Sequence, residues 1–160
     1  MTENEKTLTK FYTAFSNADA STMCECYHPD IKFRDPVFGL LKGTQACDMW
    51  KMLIKKSNGN IKIVFSDIEA DEYLGEARWV ATYNFSKSNR KVINQVSSHF
   101  HFKNGLIIKH TDDFDIWKWS KQAFGITGVL FGWTGFMQKK IHEKALLSLK
   151  DYQKKVTNDN

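Results

Sequence analysis

The residues with the clearest chemical potential lie at the end of a long β-rich stretch, where residues 110–115 include one histidine and three aspartates. Because side chains alternate between the two faces of a strand, His110 and Asp112 are predicted to share a face with Leu106 and Ile108. That face is predicted to run from an apolar core into a cavity. A carboxylate beside an imidazole can orient it for proton transfer, and a purely structural His–Asp pair is the alternative.

Asp35 is a second candidate for acid–base chemistry. It ends a predicted short strand, precedes Pro36 and has the aromatic Phe38 close by. In an apolar cavity, desolvation would raise its pKa towards the range of a general base. The alternative is that Asp35 caps the turn by accepting hydrogen bonds from the backbone of Val37 or Phe38.

Aromatic side chains are abundant, with twelve Phe, five Trp and five Tyr in 160 residues. Flat apolar side chains suit the walls of a ligand pocket, although a Phe-rich core explains them equally well. Four of them carry polar tips that could reach into such a pocket: Tyr12, Trp50, Trp79 and Tyr83.

Hydrophobic periodicity predicts the elements that would position these residues. The predicted order is a helix over residues 4–17, a short helix ending at 28–30, a strand over 31–35, a helix from 44 to about 57, four strands between 61 and 115, and a helical tail over 116–156. Asp19 or Ser21 is expected to cap the second helix, and Asp113 or Asp115 the first helix of the tail.

This order predicts an α+β fold in which a strongly curved antiparallel sheet wraps around the N-terminal helices and leaves a cavity. Gly39 and Gly43 are expected to mark a turn after the first strand. One domain is expected over residues 1–160, with a core over about 7–115 and a helical extension over about 116–156.

Charge and cysteine content limit the function classes. The net charge of +5 invites a nucleic-acid interpretation, but the lysines are spread along two helices among acidic residues, so no nucleic-acid partner is expected. Cys24, Cys26 and Cys47 lack zinc-like spacing, which favours reduced thiols in a cytoplasmic protein. The polar first residues indicate no signal peptide. No metal site is expected either, because no second histidine lies at suitable spacing from His110.

Four stretches of the chain resemble the NTF2-like superfamily of cone-shaped α+β domains, which includes ketosteroid isomerase and the SnoaL-like polyketide cyclases. They are residues 11–19, 26–33, 34–39 and 98–105. The resemblance covers roughly residues 7–115. It implies the cone fold, but this fold hosts enzymes, ligand binders and association modules alike.

The resemblance also implies roles for individual residues. Asp35 stands where ketosteroid isomerase has its proton-shuttling carboxylate, and Tyr12 stands where it has its oxyanion-donating tyrosine. Ser98 replaces the protonated carboxylic acid that completes that oxyanion hole, and a hydroxyl is a weaker donor. SnoaL-like cyclases keep acid–base residues late in the sheet, where His110 and Asp112 lie here.

These observations lead to two hypotheses of function. The first is a cofactor-free and metal-free isomerase, cyclase or hydratase-like enzyme acting on a small apolar ring substrate. Its catalytic residues would be Asp35, Tyr12, His110 and Asp112. Its substrate-binding residues would be Trp50, Ser98, Phe100, Trp79, Tyr83 and Phe38. The second is a non-catalytic ligand binder or dimeric interaction module, and a homodimer across the open sheet face fits either.

The segment over residues 124–136 has its own alternatives. Four glycines among apolar residues favour a mobile lid, and packing across a dimer is a second interpretation. Shallow membrane contact through Phe124, Leu130, Phe131 and Trp133 is a third. The sequence favours the lid or the interface.

Overall fold

The chain folds into six helices and six strands in a computed structural model that describes residues 1–160. In chain order they are α1 Glu3–Ser16, α2 Ala20–Glu25, β1 Tyr27–Asp35, β2 Gly39–Lys42, α3 Thr44–Ser57, β3 Lys62–Ala70, β4 Leu74–Asn84, β5 Lys91–Lys103, β6 Leu106–Asp113, α4 Ile116–Phe124, α5 Ile126–Phe131 and α6 Gly135–Asn158.

The six strands form one curved, unclosed sheet in the order β2-β1-β6-β5-β4-β3. Neighbouring strands are antiparallel except β1 and β6, which run parallel. Helix α1 packs against β3, β4 and β6, and α3 packs against β1 and β2, so both helices lie inside the curve of the sheet. The predicted α+β cone with an added C-terminal helical tail is confirmed.

The first helix illustrates how local sequence sets these elements. The Thr2 hydroxyl accepts a hydrogen bond from the Glu5 N–H at 3.1 Å, and the Glu5 carboxylate accepts one from the Thr2 N–H at 2.7 Å. This capping box satisfies two N–H groups that have no partner inside the helix. Leu8, Phe11 and Phe15 then recur at helical spacing and are buried.

Two of the predicted caps are confirmed. The Asp19 side chain accepts a hydrogen bond from the Thr22 N–H at 3.0 Å, and Asp115 accepts one from the Lys118 N–H at 3.0 Å. Each carboxylate satisfies a free N–H and places negative charge at the positive end of the helix dipole.

Two predictions about β1 and its surroundings were wrong. The strand begins at Tyr27, so residues 28–30 lie in a strand rather than at the end of a helix. A proline disfavours helical backbone in the residue before it, and extended backbone satisfies Pro29 equally well. Gly39 and Gly43 bracket the short strand β2 instead of one turn, and both have positive φ, at 65° and 57°.

A bulge in β6 changes which of its residues point inward. Lys109 pairs with β5 and β1 on one side of Ile108, and Ile107 pairs with both strands on the other, so Ile108 is left out of the register. Ile107 is therefore buried, while Leu106 and Ile108 are only half-buried, contrary to the prediction from simple alternation. Beyond the bulge, His110 points inward as predicted.

Aromatic rings dominate the core between the helices and the sheet. Phe11 is fully buried and packs edge-on against Tyr12, Trp50 and His110, with ring centroids 5.2, 6.0 and 5.5 Å away. Edge-to-face pairs of this kind add to the free energy of simple burial. The histidine ring is thus held in an aromatic cage.

Helix α4 covers an open stretch of the sheet. Strand β5 runs past the end of β6, whose last residue, Asp113, pairs with Ser97. In the part of β5 that β6 does not reach, the Ile93 N–H donates to Gln122 Oε1 at 2.7 Å, and Gln122 Nε2 donates to the Ile93 carbonyl at 3.1 Å. The amide side chain thus satisfies backbone groups that would otherwise form an exposed edge.

Helix α6 ties the tail to the other end of the sheet. His142 Nδ1 donates to the carbonyl of Val37 in the β1–β2 turn at 2.8 Å, and Gln153 Nε2 donates to Asp48 on α3 at 2.9 Å. Ile141 and Leu149 are the buried residues of α6. None of the helices has the length and apolar character needed to cross a membrane.

Removing the central ring should be costly. We expect Phe11→Ala to lower the free energy of unfolding by about 3–5 kcal/mol, because it removes buried area and leaves a cavity among other rings. Urea denaturation monitored by circular dichroism measures this. Ile93→Thr, on the outer sheet face at 43% exposure, should change it by less than about 1 kcal/mol. Equal losses in both variants would contradict the core assignment.

Candidate active site

The His110–Asp112 pair forms the centre of a polar network inside the cone. Both side chains come from β6 and are almost completely buried, with 0% and 4% exposure. His110 Nε2 lies 2.7 Å from Asp112 Oδ1. On the other side of the ring, Nδ1 lies 2.7 Å from the hydroxyl of Tyr27, which also accepts a hydrogen bond from Trp50 Nε1 at 2.8 Å.

The direction of these hydrogen bonds follows from the available protons. An indole N–H can only donate, so the Tyr27 oxygen accepts from Trp50. The assignment that gives every group a partner sends the Tyr27 proton to His110 Nδ1 and places the imidazole proton on Nε2, which donates it to Asp112.

Ser98 brings the other half of the sheet into the same network. Its hydroxyl accepts from the Tyr12 hydroxyl and from Trp79 Nε1, both at 2.9 Å, and donates to Asp112 Oδ1 at 2.5 Å. A hydroxyl has one proton and two lone pairs, so Ser98 is saturated. All donors in the network therefore point, directly or in sequence, towards Asp112.

The network leaves no free donor for a ligand. No buried side-chain nitrogen or oxygen lacks a hydrogen-bond partner. Burial raises the pKa of Tyr12 well above its usual value, and its only proton is donated to Ser98. A catalytic role for Tyr12 or Ser98 stays a prediction that would require this network to rearrange.

The structure places four other predicted substrate contacts in the packed interior. Trp50, Trp79, Phe38 and Phe100 are all at most 8% exposed, whereas Tyr83 is half-buried. A surface concavity of about 500 Å³ lies on α6, and another of about 780 Å³ lies on the sheet between Val64 and Asp115, with Trp79 and Phe114 among its lining residues. No group of three or more His, Cys, Asp or Glu side chains is arranged to hold a metal ion.

Unlike the residues of the network, Asp35 is half-buried, and one of its carboxyl oxygens has no hydrogen-bond partner. Its Oδ1 accepts hydrogen bonds from the Val37 and Phe38 N–H groups at 2.9 and 2.5 Å, which is the turn-capping arrangement. Oδ2 accepts no hydrogen bond and is not completely enclosed. Burial raises the pKa of Asp35 to about 7, and the charge of Asp112 adds to this against the opposing effect of the two N–H groups.

The register of the sheet explains why the two carboxyl groups influence each other. Arg34 of β1 pairs with Thr111 of β6 in the parallel ladder, so the next residues, Asp35 and Asp112, follow side by side. Each also follows a buried inward-facing partner by two residues, namely Phe33 and His110. Two carboxyl groups therefore share the inner face, and their environments differ.

The surroundings of Asp35 form a seam between the cone and the tail. Val37, Tyr83 and Phe114 are half-buried and pack against both the main core and the smaller tail cluster around Trp119. Tyr83 accepts a hydrogen bond from Trp119 Nε1 at 2.9 Å, and no acceptor takes its own proton. Burial raises the pKa of Tyr83, and the charge of Asp35 contributes to that rise.

Sequence reasoning missed Tyr27 and Trp119. Tyr27 was assigned to a helix, although Pro29 was a signal for extended backbone that would have extended β1 towards it. Trp119 binds Tyr83 across 36 residues of chain, and no local pattern indicates that contact.

Ser98→Ala tests how much the network contributes to the free energy of unfolding. It leaves the Tyr12 hydroxyl and the Trp79 N–H without acceptors and removes a donor from Asp112, so we expect a loss of about 2–5 kcal/mol in the free energy of unfolding. Urea denaturation measures it, with the adjacent exposed Ser97 as a matched control. Ser97→Ala should lie within about 0.5 kcal/mol of the wild type. A neutral Ser98→Ala would refute the assigned hydrogen bonds.

The chain is similar to known proteins in its sequence and in its fold. A family model described as a SnoaL-like domain matches residues 8–110, from α1 to the histidine of the network. None of the curated proteins compared with the chain matches it.

Solved structures share the fold at low sequence identity. Bal32a from a soil-derived mobile gene cassette is 20% identical, with a TM-score of 0.66 over 76% of this chain and 96% of its own. An M. tuberculosis LEH-like epoxide hydrolase is 18% identical, with a TM-score of 0.58 over 80% and 92%. TerC, co-crystallised with polyporic acid, is 12% identical, with a TM-score of 0.61 over 71% and 92%. Likeness at this level concerns the fold alone.

Proposed function

The chain belongs to the SnoaL-like domain family, and we propose that it is a small-molecule enzyme that moves protons on an apolar ring substrate, in the manner of an isomerase, cyclase or hydratase. One observation carries the proposal. Asp35 is a partly accessible carboxyl group with a pKa of about 7 in an apolar seam, and its Oδ2 has no partner in the protein.

Asp35 is the general base in this proposal. A base works best when its pKa lies near the working pH, because it is then both available and strong enough to take a proton. The two N–H groups on Oδ1 fix the carboxyl group and leave Oδ2 to face the substrate. The network around Asp112 provides a fixed charge that helps to keep the pKa of Asp35 high.

Tyr83 is the hydrogen-bond donor in this proposal, in place of Tyr12. Trp119 Nε1 occupies one lone pair of its hydroxyl and orients it, while the proton remains free. When Asp35 Oδ2 removes a proton from a carbon beside a substrate carbonyl, the electron pair moves onto the carbonyl oxygen. A hydrogen bond from Tyr83 would stabilise that oxyanion, and return of the proton to another carbon completes an isomerisation.

The seam also suggests the class of substrate. Its walls are apolar and aromatic, with Val37, Phe114 and Trp119 around a single carboxyl and a single hydroxyl. Such walls suit a flat ring system with one or two oxygen atoms. TerC, which shares the fold, was co-crystallised with the compound polyporic acid.

Asp35→Asn tests the role of the base. In deuterated buffer, NMR would follow exchange of acidic C–H protons in a panel of cyclic ketones and polycyclic aromatic ketones. We expect exchange by the wild type that rises with pH through about 7 and falls about 10²–10⁴-fold in the variant.

The exposed Asp30 of the same strand provides the control, since Asp30→Asn should keep full activity. Equal exchange by wild type and Asp35→Asn would refute the assignment of Asp35. Thermal stabilisation by fatty acids alone, indifferent to Asp35, would instead favour the second candidate.

That second candidate is a non-catalytic ligand-binding or dimeric module. The observation that favours it is the filled interior, in which Tyr12, His110 and Ser98 are completely buried. The Tyr12 hydroxyl is hydrogen-bonded to Ser98, and Ser98 and His110 are both hydrogen-bonded to Asp112. Asp35 would then serve only to cap its turn.

The raised pKa of Asp35 also predicts a pH dependence of stability. In the folded state the Asp35 carboxyl keeps its proton up to about pH 7, whereas an Asp in the unfolded chain has a pKa of ~3.9. Folding therefore binds a proton between these values, and the free energy of unfolding contributed by Asp35 is present at low pH and lost as pH rises through about 7. Denaturation of wild type and Asp35→Asn from pH 4 to 8 measures the difference. Parallel curves would contradict the raised pKa.

A further inference from the structure

Helix α5 and the turn after it present a concentration of apolar side chains to solvent. Six large apolar residues between 126 and 136 are 47–79% exposed. We name them the apolar tip: Ile126, Val129, Leu130, Phe131, Trp133 and Phe136. Scattered single hydrophobic residues are normal on a protein surface, but a contiguous patch of this kind marks an interaction site.

The orientation of α5 is fixed by glycines rather than by its apolar residues. A Cβ on Gly128 would lie 2.0 Å from the Ser120 carbonyl oxygen, and one on Gly132 would lie 2.7 Å from Ser120 Cβ. The face of α5 that packs on α4 therefore has no room for side chains. Its large apolar residues are turned outward, the reverse of an ordinary surface helix. The close backbone contact between α5 and α4 argues against the predicted freely moving lid.

The helices on either side of the apolar tip are rich in lysine. From residue 116 to residue 150 the chain has six lysines, and Glu143 is its only acidic residue. Lys121 Nζ lies 4.2 Å from the centre of the Trp117 ring, and Lys140 Nζ lies 4.7 Å from that of Phe136. Aromatic residues with lysine ammonium groups beside them are typical of proteins that lie in a membrane interface.

We propose that the apolar tip inserts shallowly into the surface of an anionic lipid bilayer, with the surrounding lysines against the headgroups. The charge decides between this partner and a second copy of the chain. A symmetric dimer through the apolar tip would bring two lysine-rich surfaces together, whereas anionic headgroups neutralise them. The proposal does not depend on the role of Asp35.

Vesicle co-sedimentation tests it with the full chain. Vesicles of phosphatidylcholine with about 30% phosphatidylglycerol should bind the wild type at least about tenfold more tightly than pure phosphatidylcholine, and about 0.5 M NaCl should weaken that binding. Phe131→Ser with Trp133→Ser should reduce binding at least about tenfold, because it removes two inserted side chains. Leu147→Ser is the matched control, since Leu147 on α6 is exposed at 59%, close to the 54% of Phe131.

Binding by the wild type and by Leu147→Ser, with loss in the double variant, supports the proposal. Circular dichroism melting would establish that the double variant is folded. Absence of binding by the wild type, or equal binding by the double variant, would overturn it. A wild-type dimer in light scattering that becomes a monomer in the double variant, without vesicle binding, would identify a second copy as the partner instead.

Discussion

A buried carboxylate sets the main constraint on this structure. Asp112 lies inside the cone, where an ionised group is tolerated only when hydrogen bonds replace water. Ser98 and His110 donate to it, and each is supplied in turn by groups from other elements: Tyr12, Trp79, Tyr27 and Trp50. Two helices, α1 and α3, and four strands, β1, β4, β5 and β6, must hold their positions for these hydrogen bonds to form. The network therefore fixes how the sheet curves around α1 and α3.

The same constraint decides which polar groups inside the cone have no protein partner. Because the protons of the inner network are already donated to protein acceptors, the proposed site uses groups at the seam instead. Asp35 keeps one oxygen free, and Tyr83 keeps its proton. Both depend on the tail, since Trp119 orients Tyr83 and His142 holds the turn that contains Val37. The added helices thus support the proposed site as well as the surface that we propose to contact a membrane.

Much of the fold could be predicted from local sequence. Hydrophobic periodicity predicted α1, α3, the four-strand meander and the helical tail. Burial of one face places apolar residues at a period of about 3.6 in a helix and 2 in a strand. The caps at Asp19 and Asp115 were predictable because a short carboxylate before a helix satisfies its free N–H groups. Strand alternation also predicted correctly that His110 and Asp112 share one face.

Tertiary structure decided what depends on register and on contacts between distant residues. The bulge at Ile108 reverses the alternation before it, and only pairing with β1 and β5 reveals it. The proton on His110 Nε2 depends on Tyr27, which lies 83 residues earlier in the chain. By itself, the sequence determined the long helices, the four-strand meander and most of their buried faces, since those follow from side-chain chemistry at short range. Which hydroxyls and carboxyls are left free was decided only by packing, because a hydrogen bond depends on where its partner is placed.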